Sequence, residues 1–312
     1  MTRLLITGSN GLLGQKLMDA FANPGDFPTP LPNLNEVECL FTSVEEEPFK
    51  YYGEITYACM DITEMDSILE VVDGFRPDVV LNLAAMTHVD RCENEPERCW
   101  KINVEAVANL ADACEKYDAR IIHISTDFIF DGEDGPYMED DEPNPLCVYS
   151  RSKLASEEVL AGSDVQWSIL RTCILYGVGL HLVRNNIVLW LKGELEAGRE
   201  VSVVYDQYRS PTLAEDLASA CLLAVVKQST GIYHVSGKDI MSILEMAQRL
   251  AVHYGLDKNL IKPISAATLN QVAKRPRKTG FILDKAVKEL AYSPHTFEQA
   301  LDIIASQLAR EK

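Results

Sequence analysis

The chain has 312 residues, 47% hydrophobic and 24% charged, enough apolar material for one large α/β domain or a domain with a smaller lobe. A net charge of −18 argues against a nucleic-acid partner, because phosphate binding needs a basic face. No apolar run approaches the ~18 residues of a membrane helix, and the opening residues read as a strand rather than a leader, so a cytoplasmic protein is expected. The eight cysteines form no C-x-x-C pair and fall mostly in apolar segments, as reduced thiols do; no metal site is assigned.

The first strand, "RLLIT", runs into "GSNGLLG", where Gly8, Gly11 and Gly14 are spaced G-x-x-G-x-x-G and a helix follows. Glycines there permit a tight turn and close backbone approach, and the helix N-terminus offers free N–H groups to a pyrophosphate. Asn10, Leu12 and Leu13 complete this expected dinucleotide loop. A Pro/Asn-rich insertion, 22–36, precedes the second strand, "VECLF". Its end, "LFTSVEEE", has neither an acid at the tip for a ribose diol nor an arginine for a 2′-phosphate. Thr42 and Ser43 can donate to either, so NAD and NADP both remain open. The third strand, "EITYACM", ends at "MDIT", placing Asp61 to accept from an adenine amino group with the Ile62 backbone beside it. The fourth, "DVVLNLA", ends at Ala84 and Ala85, small enough for a cofactor passing over the sheet edge.

A long helical stretch, "CWKINVEAVANLADACEKY", then leads to "RIIHIST", the fifth strand, and "WSILRT" follows as the sixth. Apolar strands alternating with helices indicate a doubly wound parallel sheet, Rossmann-like, with ligands at its carboxyl edge. Between the fifth and sixth strands an acidic, proline-rich loop ends at "VYSRSK". Tyr149 and Lys153 there lie one helical turn apart on one face. Alone, the pair also fits a surface tyrosine beside a surface lysine; as chemistry, it is a proton donor whose pKa an adjacent cation lowers. Beyond residue 172 the pattern loosens: a helix over 185–197, strands "EVSVVYD" and "GIYHVSG", and amphipathic stretches at 242–254 and 296–309. Residues 1–172 are read as the dinucleotide-binding domain and 173–312 mainly as a substrate lobe, with returns to the sheet near 201–237.

These motifs, with "RPDVVLNLAAMTHVDRCENEPERCWKINV", "IIHISTDFIFDG", "DQYRSPTLAEDLA" and "RPRKTGFILD", resemble the extended short-chain dehydrogenase/reductases, and within them the dTDP-4-dehydrorhamnose reductases. The resemblance implies an NAD(P)H-dependent reduction of a nucleotide-diphosphate 4-keto-6-deoxy sugar. Tyr149 would donate the proton and Lys153 hold the cofactor ribose. Thr126 would bond the carbonyl oxygen, Ser125 and Asp127 would shape the site, and Asn103 would relay protons to the lysine. Sugar-nucleotide dehydratases carry a glutamate where this chain has Phe128, which disfavours elimination. Two positions depart from the rhamnose pattern: Ile174 stands for a tryptophan, and Arg209 for a glycine. Arg209 resembles the phosphate-gripping arginine of other nucleotide-sugar enzymes, with Arg275 and Arg277 as further candidates. The implied partners are a nucleotide sugar and, at most, a second copy in a homodimer. Alternatives are another extended reductase or epimerase, or a non-catalytic NADP-binding subunit like that of methionine adenosyltransferase.

Overall fold

The computed structural model describes residues 1–53, 55–182, 186–269 and 271–310; Glu54 and Asn185, at the starts of two expected elements, lie outside them. Seven strands build the central sheet: β1 (Thr2–Thr7), β2 (Val37–Ser43), β3 (Thr56–Cys59), β4 (Val79–Asn82), β5 (Arg120–Thr126), β6 (Trp167–Thr172) and β7 (Gly231–His234). They run in the order β7-β6-β5-β4-β1-β2-β3, and every neighbouring pair is parallel. The order reverses between β1 and β4, so a crevice opens at the carboxyl ends of these strands.

Side chains alternate across each strand, so β5 sends Ile122 to one face and Ile121 to the other. Ile122 packs with α1 (Leu12–Ala22) and α8 (Ala214–Val226) around Leu17, Leu217 and Leu222. Ile121 packs with α2 (Met65–Phe75) and α5 (Ala106–Lys116), and with Leu160 of α6 (Val148–Ala161). His123 and Ser125 share the Ile121 face by the same alternation, which aims two polar groups of an apolar strand at α6.

A second core holds the C-terminal lobe together. It joins α7 (Ile187–Glu196), α9 (Ile243–His253) and α10 (Phe297–Arg310) through Leu191, Leu250 and Leu301. Of the expected returns near 201–237, only β7 rejoins the main sheet. Val201–Val204 pairs instead with Ile261–Ile264, in parallel, inside this lobe, where its alternate valines, Val201 and Val203, find the apolar face of α9. The expected helix over 185–197 and the two C-terminal amphipathic stretches all form.

Candidate active site

The glycine loop closes β1 onto α1. Gly8 takes φ +66, and a Cβ there would lie 2.8 Å from the Ala84 backbone; a Cβ on Gly14 would overlap Ser9. Both glycines are demanded by packing. Gly11 is different: it is exposed, and its Cβ would meet only the Gly8 carbonyl, at 3.2 Å. Leaving that space open over the first turn of α1, whose N–H groups have no intrahelical acceptor, suits a phosphate group approaching the backbone. The dinucleotide expectation fits this geometry.

Other expected cofactor contacts are reassigned. Thr42 is fully buried and donates to the Ile6 carbonyl at 3.0 Å, while its N–H is held by Ser9 Oγ, so it braces β1 against β2 and has no proton for a ribose. Ser43 donates to Glu45, whose carboxylate also accepts from Asn10 Nδ2 at 2.9 Å. Asn10 therefore ties the 45–49 segment down, accepting the Phe49 N–H at 2.8 Å, and an acid does reach the glycine loop from beyond the tip of β2. Leu13 and Ile62 point into the core, leaving only their backbones to a ligand. Asp61 uses one oxygen to cap Thr63 at 2.9 Å. Ala84 and Ala85 remain half-exposed beside Gly8.

At the β5 edge, α6 begins where Ser150 Oγ accepts the Cys147 N–H at 2.9 Å and Glu93 accepts the Val148 N–H at 2.7 Å. These caps set Tyr149 and Lys153 in the first two turns. Tyr149 is half-buried and meets Phe128 edge-on, with ring centroids 6.1 Å apart. Burial pushes its phenol well above the ordinary value, with the facing Thr126 hydroxyl opposing. The expected lowering by Lys153 is absent, because the lysine turns inward: it is 2% exposed and its Nζ lies 2.7 Å from His123 Nε2. Burial draws its pKa down to about 8, with Glu157 and Cys99 opposing.

Asn103 does not reach Lys153. It sits in a π-helical turn, Lys101–Glu105, of the kind often found at functional positions. From there its amide accepts the Met86 N–H at 2.8 Å and donates to Ser152 Oγ at 2.9 Å, so it locks the end of β4 to α6. Ser125 likewise turns from the cleft to donate to Glu157, which Arg171 grips with Nη2 at 2.7 Å.

Asp127 and Arg209 lie beneath the cleft rather than in it. Asp127 is 2% exposed, accepts from Thr279 and Thr126, and burial raises its pKa while Arg209 opposes. Arg209 is 1% exposed, and its fork is filled by the carbonyls of Tyr208 and Pro276, each at 2.7 Å. Its guanidinium lies over the Phe128 ring, 5.3 Å away. A guanidinium buried beneath the cleft, with both Nη groups spent on carbonyls, does not grip a diphosphate; Arg209 anchors the 275–279 segment instead. Arg275 is engaged by Asp90 at 2.7 Å. Arg277 alone of the three is exposed, with Asp206 near it. Ile174 packs with the second core.

Sequence reasoning missed His123, Asn82, Glu157 and Arg171. A histidine in the apolar run "RIIHIST" was the one visible signal; the others gain meaning only from α6 lying across β5 and β6.

The profile of the family described as "RmlD substrate binding domain" matches residues 1–310. A dTDP-4-dehydrorhamnose reductase of Aggregatibacter actinomycetemcomitans is 32% identical over 314 residues, covering 96% of this chain and 97% of its own. Methionine adenosyltransferase 2 subunit beta of Bos taurus is 28% identical, covering 88% of this chain and 78% of its own. Among solved structures, dTDP-4-dehydrorhamnose reductase of Bacillus anthracis in complex with NADP superposes with a TM-score of 0.81, at 27% identity, over 98% of this chain and all 100% of that one.

Proposed function

The chain belongs to the RmlD substrate binding domain family, and from that membership we propose an NAD(P)H-dependent reductase of a nucleotide-diphosphate 4-keto-6-deoxy sugar. The observation that carries this reading is the half-buried Tyr149 beside Thr126 at the carboxyl edge of β5, across the crevice from a glycine loop whose Gly11 leaves the α1 N-terminus uncovered. The glycine loop would hold the pyrophosphate, and Lys153 the ribose hydroxyls. A bound reduced nicotinamide supplies hydride. The chain's own part is the proton: Tyr149, its pKa raised by burial, stays protonated at neutral pH and presents Oη to the sugar oxygen. Thr126 would steady that oxygen. Phe128, edge-on to Tyr149, offers no second acid or base for water elimination, which leaves reduction. Arg277 is the exposed cation for the diphosphate.

The test is a panel of nucleotide 4-keto sugars followed by nicotinamide absorbance, with Tyr149→Phe beside the parent. The variant is expected to keep cofactor affinity and lose about 10²–10⁴-fold in turnover. Parent-like turnover by a folded Tyr149→Phe protein would remove Tyr149 from the chemistry. The likeness to methionine adenosyltransferase 2 subunit beta favours a second reading, a cofactor-dependent regulatory subunit. Tight cofactor binding, no turnover of any keto sugar and co-purification with a synthetase would select it.

A further inference from the structure

Behind Lys153 a buried hydrogen-bonded chain crosses three strands, and the reduction as described uses none of it. Thr7 of β1 donates its hydroxyl proton to Asn82 Oδ1 of β4, at 2.6 Å. The Thr7 oxygen accepts the Leu83 and Ala84 N–H groups at 3.2 and 3.3 Å, and Asn82 Oδ1 accepts the Ala84 N–H at 3.2 Å. These donors fix the carboxamide, with its oxygen toward β1. Its NH2 group therefore faces His123 Nδ1, at 3.0 Å. An amide NH2 only donates, so Nδ1 must accept. Burial keeps the imidazole neutral, with Lys153 acting in the same direction, and its single proton sits on Nε2.

That Nε2–H has two neighbours, Lys153 Nζ at 2.7 Å and Ser156 Oγ at 3.1 Å. Ser156 gives its own proton to the Lys153 carbonyl, at 2.6 Å, so its oxygen is free to accept. Lys153 Nζ can accept only as a neutral amine, because an ammonium would set N–H against N–H.

We infer that His123 is a positioning residue that docks Lys153 as the free amine and releases it on protonation, so that the ammonium moves to the Tyr149 and cofactor side. This rests on the reading of Tyr149 and Lys153 as a reductase pair. The other groups facing Lys153 are accounted for. Glu157, one turn further along α6, is neutralised by Arg171 of β6, with Ser125 of β5 on the same carboxylate. Cys99 approaches from α4 (Pro96–Trp100) and bonds Ser152 Oγ at 3.3 Å and Asn103 Nδ2 at 3.4 Å. Tyr149 lies one turn back on α6.

The first test reads the parent protein. Carbon and nitrogen shifts of the histidine rings in the parent protein report the tautomer, and His123, assigned with His123→Gln or by through-bond connectivity, is expected as Nε2–H at pH 7. An Nδ1–H or doubly protonated ring overturns the inference. The second test follows Lys153 through its Cε shift, assigned with Lys153→Met. His123→Gln can turn a carboxamide oxygen to the ammonium and is expected to raise the Lys153 pKa by about one unit, moving the matching limb of the kcat/KM pH profile with it. An unchanged Lys153 titration in the folded variant overturns it. The predicted tautomer and shift in a protein that reduces no keto sugar would leave the dock standing and discard the reductase reading. Normal reduction with the wrong tautomer would do the reverse.

Discussion

Gly11 and Lys153 show opposite kinds of constraint on one residue. The Gly11 backbone is extended, φ −69 and ψ 166, and a Cβ there would press on the Gly8 carbonyl alone, at 3.2 Å, so a small shift of that one carbonyl admits a larger residue. Gly11→Val should unfold within about 1 kcal/mol of the parent and yet lose nicotinamide dinucleotide binding by titration calorimetry; parent-like affinity would count against the glycine loop as the cofactor site. Lys153 is a basic side chain that folding buries. Its folded pKa of about 8 lies below the ordinary 10.5, so below pH 8 both states are protonated and the folded protein bears the full cost of charging the docked amine. Between pH 8 and 10.5 the unfolded chain holds the extra proton, and the parent gains stability as pH rises. Lys153→Met should therefore stabilise the protein at pH 7 by on the order of 3 kcal/mol while abolishing turnover, with the gain shrinking towards pH 10.5. Urea unfolding at the two pH values checks both halves.

The 205–213 and 273–279 segments form one unit because backbone hydrogen bonds at Tyr208 and one buried guanidinium stitch them together. Arg209 satisfies the carbonyls of Tyr208, Pro276 and Arg277, lies 3.8 Å from Asp127 through Nε and covers Phe128. Removing it leaves the buried Asp127 carboxylate without its counter-charge and the Pro276 carbonyl without its donor. Arg209→Ala should cost about 3–5 kcal/mol in urea unfolding and expose 273–279 to proteases. An Arg209→Ala protein of parent stability with only KM raised would return Arg209 to the phosphate-binding role that its sequence motif suggests. Arg277 has the converse profile. It is exposed, so Arg277→Ala should leave the melting temperature unchanged and raise the sugar-nucleotide KM about tenfold, the loss of one charge-assisted hydrogen bond.

Across the whole molecule, pH dependence follows from histidines folded in as neutral rings. His234 is fully buried, stacked on Phe281 with centroids 3.8 Å apart and 3.4 Å from Arg171 Nη1. Burial, with Arg171 acting in the same direction, lowers its pKa to about 3. Its folded value lies below its unfolded one, so its contribution is complete above pH 6.5 and is lost as pH falls from 6.5 towards 3. His123 acts in the same direction. His295, paired with Asp216 at 2.7 Å, has a raised pKa and opposes them, adding stability that is present below pH 6.5 and fades as pH rises through its folded value. The buried rings should dominate: the parent is expected to lose about 2 kcal/mol per buried histidine between pH 7 and 5, and His234→Gln to lose correspondingly less. Equal pH sensitivity of parent and variant would show that His234 is not the group being titrated.

The parallel sheet, the glycine loop and the turn-spaced Tyr149 and Lys153 were all legible in the sequence, because strand period, helix period and glycine conformation act over a few neighbouring residues. The family resemblance added Phe128, at the position where sugar-nucleotide dehydratases carry a glutamate. Tertiary structure decided where the polar side chains point. Arg209 reads as a phosphate clamp from its motif, yet 67 residues further on Pro276 supplies the carbonyl that its Nη2 meets. Thr42, Ser125 and Asn103 read as site residues and are spent on Ile6, Glu157 and Met86. Lys153 was legible as a cation beside a phenol. That it rests against His123, 30 residues back on β5, depends on α6 packing over that strand, and hydrogen bonds between residues so far apart leave no local pattern in the sequence.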